Sequence, residues 1–247
     1  MSTIEGYILC TAPRSGSTML CRLLTATGVA GKPESLFHRP SLSDWCAGLN
    51  LVPDTPLAQI IAAARQTGRA GTGMFGLRLQ RHSAPFFFDQ LATLYPDHDS
   101  DHARLTAAFG NLRFLHLTRA DKVAQAVSLL RAEQSGLWHK APDGSEIERT
   151  APPQEPHYDA PAIAEHVASF KAYDDDWRNW FKSQNITPHR ITYDALSDDP
   201  LRALTGILNH LDLDPKQAEN ITPRTAKLAG ATSAAWIRQF KADQANP

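Results

Sequence analysis

The chain has 247 residues, 42% of them hydrophobic, enough for one large α/β domain spanning residues 1–247 with a substantial core. Its 25 Lys and Arg against 26 Asp and Glu leave a net charge of −1, which excludes nucleic-acid or anionic-membrane binding by bulk electrostatics. Any anion must therefore be held by a few local basic residues. Three cysteines, Cys10, Cys21 and Cys46, lack metal-ligand spacing and read as reduced packing residues, which points to a reducing cytoplasm. The first strand starts within about six residues of the N-terminus and no long apolar run is present, so neither a signal peptide nor an integral membrane span is expected.

Taken in chain order, Tyr7-Ile-Leu-Cys-Thr11 is a short apolar strand that passes through Ala12-Pro-Arg-Ser-Gly16 into a helix opening at Ser17. Ser15, Gly16, Ser17 and Thr18 are small enough for their backbone N–H groups to close on a phosphate or sulfate, and the helix adds its positive dipole end. Arg14 places a permanent charge beside them. In a nucleoside-triphosphate P-loop the positions of Gly16-Ser17-Thr18 hold Gly-Lys-Ser/Thr, so the phosphate-clamping lysine is missing and an arginine fork three residues earlier replaces it. Met19, Leu20, Leu23 and Leu24 share one helical face, and Gly28 stands where that helix stops.

Residues 73–80 and 113–118 read as further strands, the former carrying Arg78 near its end. Pro96-Asp-His-Asp-Ser-Asp-His102 is a solvated loop rather than a metal site. Asp121 can cap a helix with Val123, Ala124, Val127 and Leu130 inward, which puts Ser128 about two turns in and Arg119 just before it. The segment 139–161, with five prolines at 142, 152, 153, 156 and 161, reads either as a long loop that covers the acceptor pocket or as a disordered insertion. A long helix over 160–184 turns Trp177, Trp180 and Phe181 inward and Asp174–Asp176 outward, and 190–193 is another short strand. Strands separated by helices predict a P-loop-like three-layer α/β domain, a central mainly parallel sheet flanked by helices, with the ligand beyond the carboxyl ends of the strands.

The loop at Arg14 and the Arg119…Ser128 pair together resemble the sulfotransferases that use 3′-phosphoadenosine 5′-phosphosulfate (PAPS), and within them the bacterial group that includes trehalose 2-sulfotransferase. Thr11-Ala-Pro-Arg-Ser-Gly-Ser-Thr-Met-Leu20 and Ala26-Thr-Gly-Val-Ala-Gly-Lys-Pro33 are similar to the opening of that group, and His116-Leu-Thr-Arg119, Gln125-Ala-Val-Ser128 and Trp138 to its middle. Trp177-Arg-Asn-Trp-Phe181 and Ser233-Ala-Ala-Trp-Ile237 are similar to its later segments, so the likeness covers most of the chain. The resemblance implies that Arg14 with Ser15, Gly16, Ser17 and Thr18 holds the 5′-phosphosulfate, that Arg119 with Ser128 holds the 3′-phosphate, and that Lys227 adds a contact there. It implies PAPS as donor, a small-molecule or glycan hydroxyl as acceptor, a homodimer, and no metal. Arg78 resembles a basic residue kept near the transferred group.

In-line transfer of a sulfuryl group puts negative charge on its oxygens and on the departing phosphate, where Arg14, Thr18 and the loop N–H groups can stabilise it. The acceptor hydroxyl also needs a base. Where the resembling group carries its glutamate this chain has Ser35, with Glu34 one residue earlier, and His38 is a second candidate of suitable basicity. His82 lies further off. A P-loop nucleotide kinase and a PAPS-binding protein without transfer activity stay open as alternatives.

Overall fold

The computed structural model describes residues 3–140, 143–219, 221–222 and 230–245. β1 (Gly6–Thr11) leads into α1 (Ser17–Ala26), and α2 (Leu42–Gly48) and α3 (Leu57–Arg69) precede β2 (Phe75–Gln80). α4 (Ala84–Leu94) and α5 (Asp101–Phe109) lead to β3 (Leu112–Thr118), which is followed by α6 (Lys122–Ser135) and a hairpin of β4 (Leu137–Lys140) and β5 (Glu146–Arg149). α7 (Ala160–Ser183) returns the chain to β6 (His189–Thr192), after which come α8 (Tyr193–Asp198), α9 (Pro200–His210) and α10 (Ala231–Ala245).

The main sheet has the order β2-β1-β3-β6, every pair parallel. This is the expected α/β architecture, and its cause is visible in β1, whose six residues are all buried because helices cover both faces of a central strand. Ile8 and Cys10 face one core with Leu77, Leu79, Trp177 and Phe181. Tyr7 and Leu9 face the other, with Leu20 and Leu24 of α1 and Leu204 and Leu208 of α9. The period of two along β1 thus sends alternate side chains to opposite layers. A third cluster joins α6, α7 and α10 through Val127, Leu130, Phe170, Trp236 and Phe240.

The helix over 160–184 forms as expected, with Asp159 accepting from Ala162 N at its start. Its Trp177 Nε1 donates to Thr11 O at 3.0 Å, which docks α7 on the carboxyl end of β1. Asp174 departs from expectation. Its carboxylate is turned to Lys122 of α6 at 2.5 Å and is mostly buried, because α6 and α7 pack side by side. The segment 139–161 departs as well, since its first part is hairpin rather than loop: Asp143 accepts from Ser145 N at 2.9 Å and Gly144 takes φ 85°, a turn that lets β5 come back along β4.

His116 on β3 is 2% exposed and its Nε2 has no hydrogen-bond partner among the described residues. Burial, with Arg190, Arg178 and Lys122 nearby, pushes it down from 6.5 to about 4. Between these values the unfolded chain binds the proton and the folded chain does not, so the neutral ring's contribution is complete above about 6.5 and is lost as pH falls to about 4. A His116→Leu variant is expected to lose this dependence. Denaturant unfolding at pH 7 and pH 4.5 should show a drop smaller than wild type by on the order of 2–3 kcal/mol.

Candidate active site

The turn from β1 into α1 is built on two left-handed residues, Arg14 at φ 59° and Gly16 at φ 87°. A Cβ at Gly16 would stand 2.8 Å from the ring of Tyr193, so the position requires glycine for both conformation and space. Thr11 Oγ1 donates to Leu117 O at 2.9 Å and lies 2.6 Å from Ser15 Oγ, which ties the floor of the loop to β3. The Ser15 hydroxyl is thereby turned inward, and Ser15 itself is buried, so it does not line the cleft as its neighbours Arg14, Gly16, Ser17 and Thr18 do. Gln125 Nε2 donates to Pro13 O at 2.6 Å and braces the loop from α6.

Three guanidinium groups surround this loop. Arg14 Nε donates to Ser128 Oγ at 2.9 Å and its Nη1 to Trp138 O at 2.8 Å. Arg119 Nη1 donates to Arg14 O at 3.3 Å and its guanidinium lies over the ring of Tyr193, 4.3 Å from the centroid. Arg78 donates from Nε to Ser35 Oγ at 2.7 Å and from Nη1 to Thr18 Oγ1 at 3.0 Å. Among the described residues none of the three forms an ion pair. Burial, and then the like charge of Arg119, lower Arg14 to about 10, and burial lowers Arg119 too. Buried positive charge without a carboxylate is costly unless an anion meets it.

These groups line one cleft of about 1460 Å³ that also takes in Gly16, Ser17, Glu34, His38 and His82. The expected loop residues therefore meet. Arg119 and Ser128 line the same cleft, but the Ser128 hydroxyl is met by Arg14, and Arg119 turns to Tyr193. Lys227 lies outside the described residues. Glu34 bridges Leu77 as an added piece of parallel strand, which is what brings Ser35 onto Arg78. The Glu34 carboxylate itself pairs with Lys32 at 2.8 Å. His38 sits edge-on to His82 with centroids 4.8 Å apart; burial lowers both, His82 to about 4.

Three site residues escape sequence reading. Tyr193 opens α8, far along the chain, and only the fold puts its ring under Arg119. His139 of β4 places Nε2 3.1 Å from Thr18 Oγ1, and Glu148 of β5 lies 3.5 Å from the same nitrogen. The Asp143-Gly144 turn was the available signal for that hairpin, hidden among prolines.

A sequence model of the Stf0 sulphotransferase family matches residues 6–243 of this chain. The chain belongs to this sulfotransferase family. The match spans all three arginines and the hairpin, so the kinase alternative falls away. Trehalose 2-sulfotransferase of Mycobacterium tuberculosis is 29% identical over 97% of this chain and 96% of its own. The trehalose 2-sulfotransferase of Mycolicibacterium smegmatis is 29% identical over 96% of this chain and 94% of its own. Among solved structures, a sulfotransferase domain from the Synechococcus PCC 7002 olefin synthase aligns over 98% of this chain and 96% of its own, at TM-score 0.47 and 17% identity.

A sulfotransferase has to bind an anionic sulfuryl donor, and the unmatched arginines around a turn rich in N–H groups are chemically suited to one. No helix among the described residues is long and apolar enough to cross a membrane. Because Gly16 has both a left-handed backbone and the Tyr193 ring against it, Gly16→Ala should lower stability by about 1–3 kcal/mol and displace the ring under Arg119. Thermal unfolding with and without 50 mM sulfate checks this: the variant should melt lower and gain less from sulfate than wild type does.

Proposed function

We propose that this sulfotransferase, working as one domain, takes the sulfuryl group of PAPS and places it on a hydroxyl of a carbohydrate, a glycolipid or a related small molecule. The observation that carries the reading is the convergence of Arg14, Arg78 and Arg119, without ion-pair partners among the described residues, on the turn at Gly16. Donors on the β1–α1 loop and donors at the end of β3 and on α6 suit a ligand with anionic groups at two places. The loop N–H groups, Arg14, Thr18 and Arg78 would hold the phosphosulfate end. Arg119 and Ser128 would hold a second phosphate, with Tyr193 fixing the Arg119 plane from behind.

The loop and α1 supply fixed N–H groups and a helix dipole where charge gathers on the departing phosphate, while Arg78 reaches the transferred group. Such preorganised donors stabilise the transition state without reorganising as it forms. A carbohydrate acceptor is supported by the names of the two mycobacterial relatives, and trehalose is the first acceptor to try. Glu34, His38 and His82 line the same cleft as Arg78, where such an acceptor would meet the donor. The free, buried Cys10, Cys21 and Cys46 favour a reducing cytoplasm as the place of action.

The test is calorimetric titration with 3′-phosphoadenosine 5′-phosphate, using AMP and Mg²⁺–ATP as controls. Tight binding that needs the 3′-phosphate is expected. Arg119→Ala should weaken it by about 10- to 150-fold, the loss of a charge-assisted contact of roughly 1.5–3 kcal/mol. Equal affinity for AMP, or an unchanged constant in the variant, would remove Arg119 from the 3′-phosphate.

A further inference from the structure

The acceptor hydroxyl must lose a proton, and the groups nearest that role in sequence are turned to other tasks. Ser35 cannot act as a base, and its hydroxyl accepts from Arg78 at 2.7 Å. The Glu34 carboxylate is held by Lys32 at 2.8 Å. A different group reaches the loop from the β4–β5 hairpin. His139 Nε2 stands 3.1 Å from Thr18 Oγ1, the same hydroxyl that receives Arg78 Nη1 at 3.0 Å, and Glu148 Oε2 lies 3.5 Å from that same nitrogen. The imidazole is thus one hydroxyl away from the arginine that reaches the transferred group.

The hairpin is fixed rather than loosely laid over the cleft. Arg14 donates to Trp138 O at 2.8 Å, Thr150 N to Gly136 O at 2.8 Å, and Trp138 Nε1 to Thr150 Oγ1 at 3.0 Å. Gly136 makes the turn out of α6 at φ 68°, where a Cβ would meet Ala151 at 2.8 Å. Resting on the PAPS reading above, we propose that His139, with the Glu148 carboxylate beside its Nε2, is the catalytic base that deprotonates the acceptor hydroxyl. As the acceptor oxygen bonds to sulfur and the sulfur–phosphate oxygen bond breaks, the proton passes to His139 Nε2. Glu148 balances the imidazolium so formed, and the electron pair of the broken bond leaves with the phosphate.

The charges around the ring make its basicity depend on the donor. Burial first, and then Arg14 of the loop, Arg78 of β2 and Arg22 of α1, push His139 down from 6.5 to about 4, against the single carboxylate of Glu148 on β5. An imidazole that low is neutral and ready to accept, yet weak. A bound dianion screens Arg14 and Arg78, removing two of the causes, so the ring's basicity rises when donor is in place. Proton acceptance is then strongest when there is a sulfuryl group to transfer.

Two measurements decide it. Transfer of labelled sulfate from PAPS to trehalose, or to water if trehalose is not accepted, should fall by about 10²-fold or more in His139→Gln, while 3′-phosphoadenosine 5′-phosphate affinity changes by less than about threefold. Ring titration by NMR, with His139 assigned through its absence in His139→Gln, should rise by about one unit or more on saturation with the bisphosphate, and by less in Glu148→Gln. Unchanged transfer in His139→Gln, transfer and affinity falling together, or a ring that does not respond to the bisphosphate would each overturn the assignment. Failure of the wild-type protein to bind the bisphosphate would instead overturn the donor reading itself.

Discussion

Three guanidinium groups held in one cleft without an ion-pair partner among the described residues are the constraint from which the rest of this site follows. Arg14, Arg78 and Arg119 are satisfied as hydrogen-bond donors by neutral groups: the hydroxyls of Ser128, Ser35 and Thr18, the carbonyls of Trp138 and Arg14, and the ring face of Tyr193. Those partners settle direction and carry no charge of their own, and only more distant carboxylates, Glu148 near Arg14 and Asp121 and Asp194 near Arg119, offset the cations in part. Burial and then repulsion from Arg119 depress Arg14, and the neighbouring His139 is depressed first by burial and then by Arg14, Arg78 and Arg22. A net charge near zero over the whole chain makes this local excess a property of the cleft and not of the surface.

The sheet explains why the excess gathers there. β1 lies between β2 and β3, and helices cover both faces, so the only open direction for its carboxyl end is the crevice between the layers. Arg14 leaves β1 there and Arg119 leaves β3, while Arg78 sits on β2 opposite Leu9 with its side chain away from Leu77 and Leu79. Trp177 and Arg81 both donate to Thr11 O, at 3.0 Å and 2.9 Å, which fixes the height at which the loop begins. Rigid strands thus set the spacing of the cations, and the loop residues need only small adjustments of their own.

Local signals made much of this legible from the sequence. The apolar run ending at Thr11, the small residues from Ser15 to Thr18, the Asp121 cap and the inward face of Trp177 and Phe181 each depend on neighbours within a few residues, and each appears where it was expected. What escaped depends on long-range placement. Nothing near Tyr193 announces that its ring will lie under Arg119, and Asp174 reads as solvated until α6 puts Lys122 against it. The hairpin was missed because prolines around 152–161 carry a stronger loop signal than one Asp-Gly turn. The parallel bridge at Glu34, which turns Ser35 onto Arg78, has no sequence signature at all.

Arg14 shows how such a site can be both stable and receptive. Its fork is engaged by a serine hydroxyl and a backbone carbonyl, contacts of roughly 1 kcal/mol each between groups that water would also satisfy. An anion in the turn competes for the same N–H groups with contacts about twice as strong, and it removes the repulsion from Arg119 as well. The exchange therefore favours the anion without any change in the strands. Ser128 keeps its place because Ala126, Val127 and Leu130 of α6 are packed, and the Trp138 side chain rests against the same cluster, so the hairpin does not depend on the Arg14 bond alone. Neutral partners thus keep the arginines oriented in the free protein while leaving their charge for a ligand.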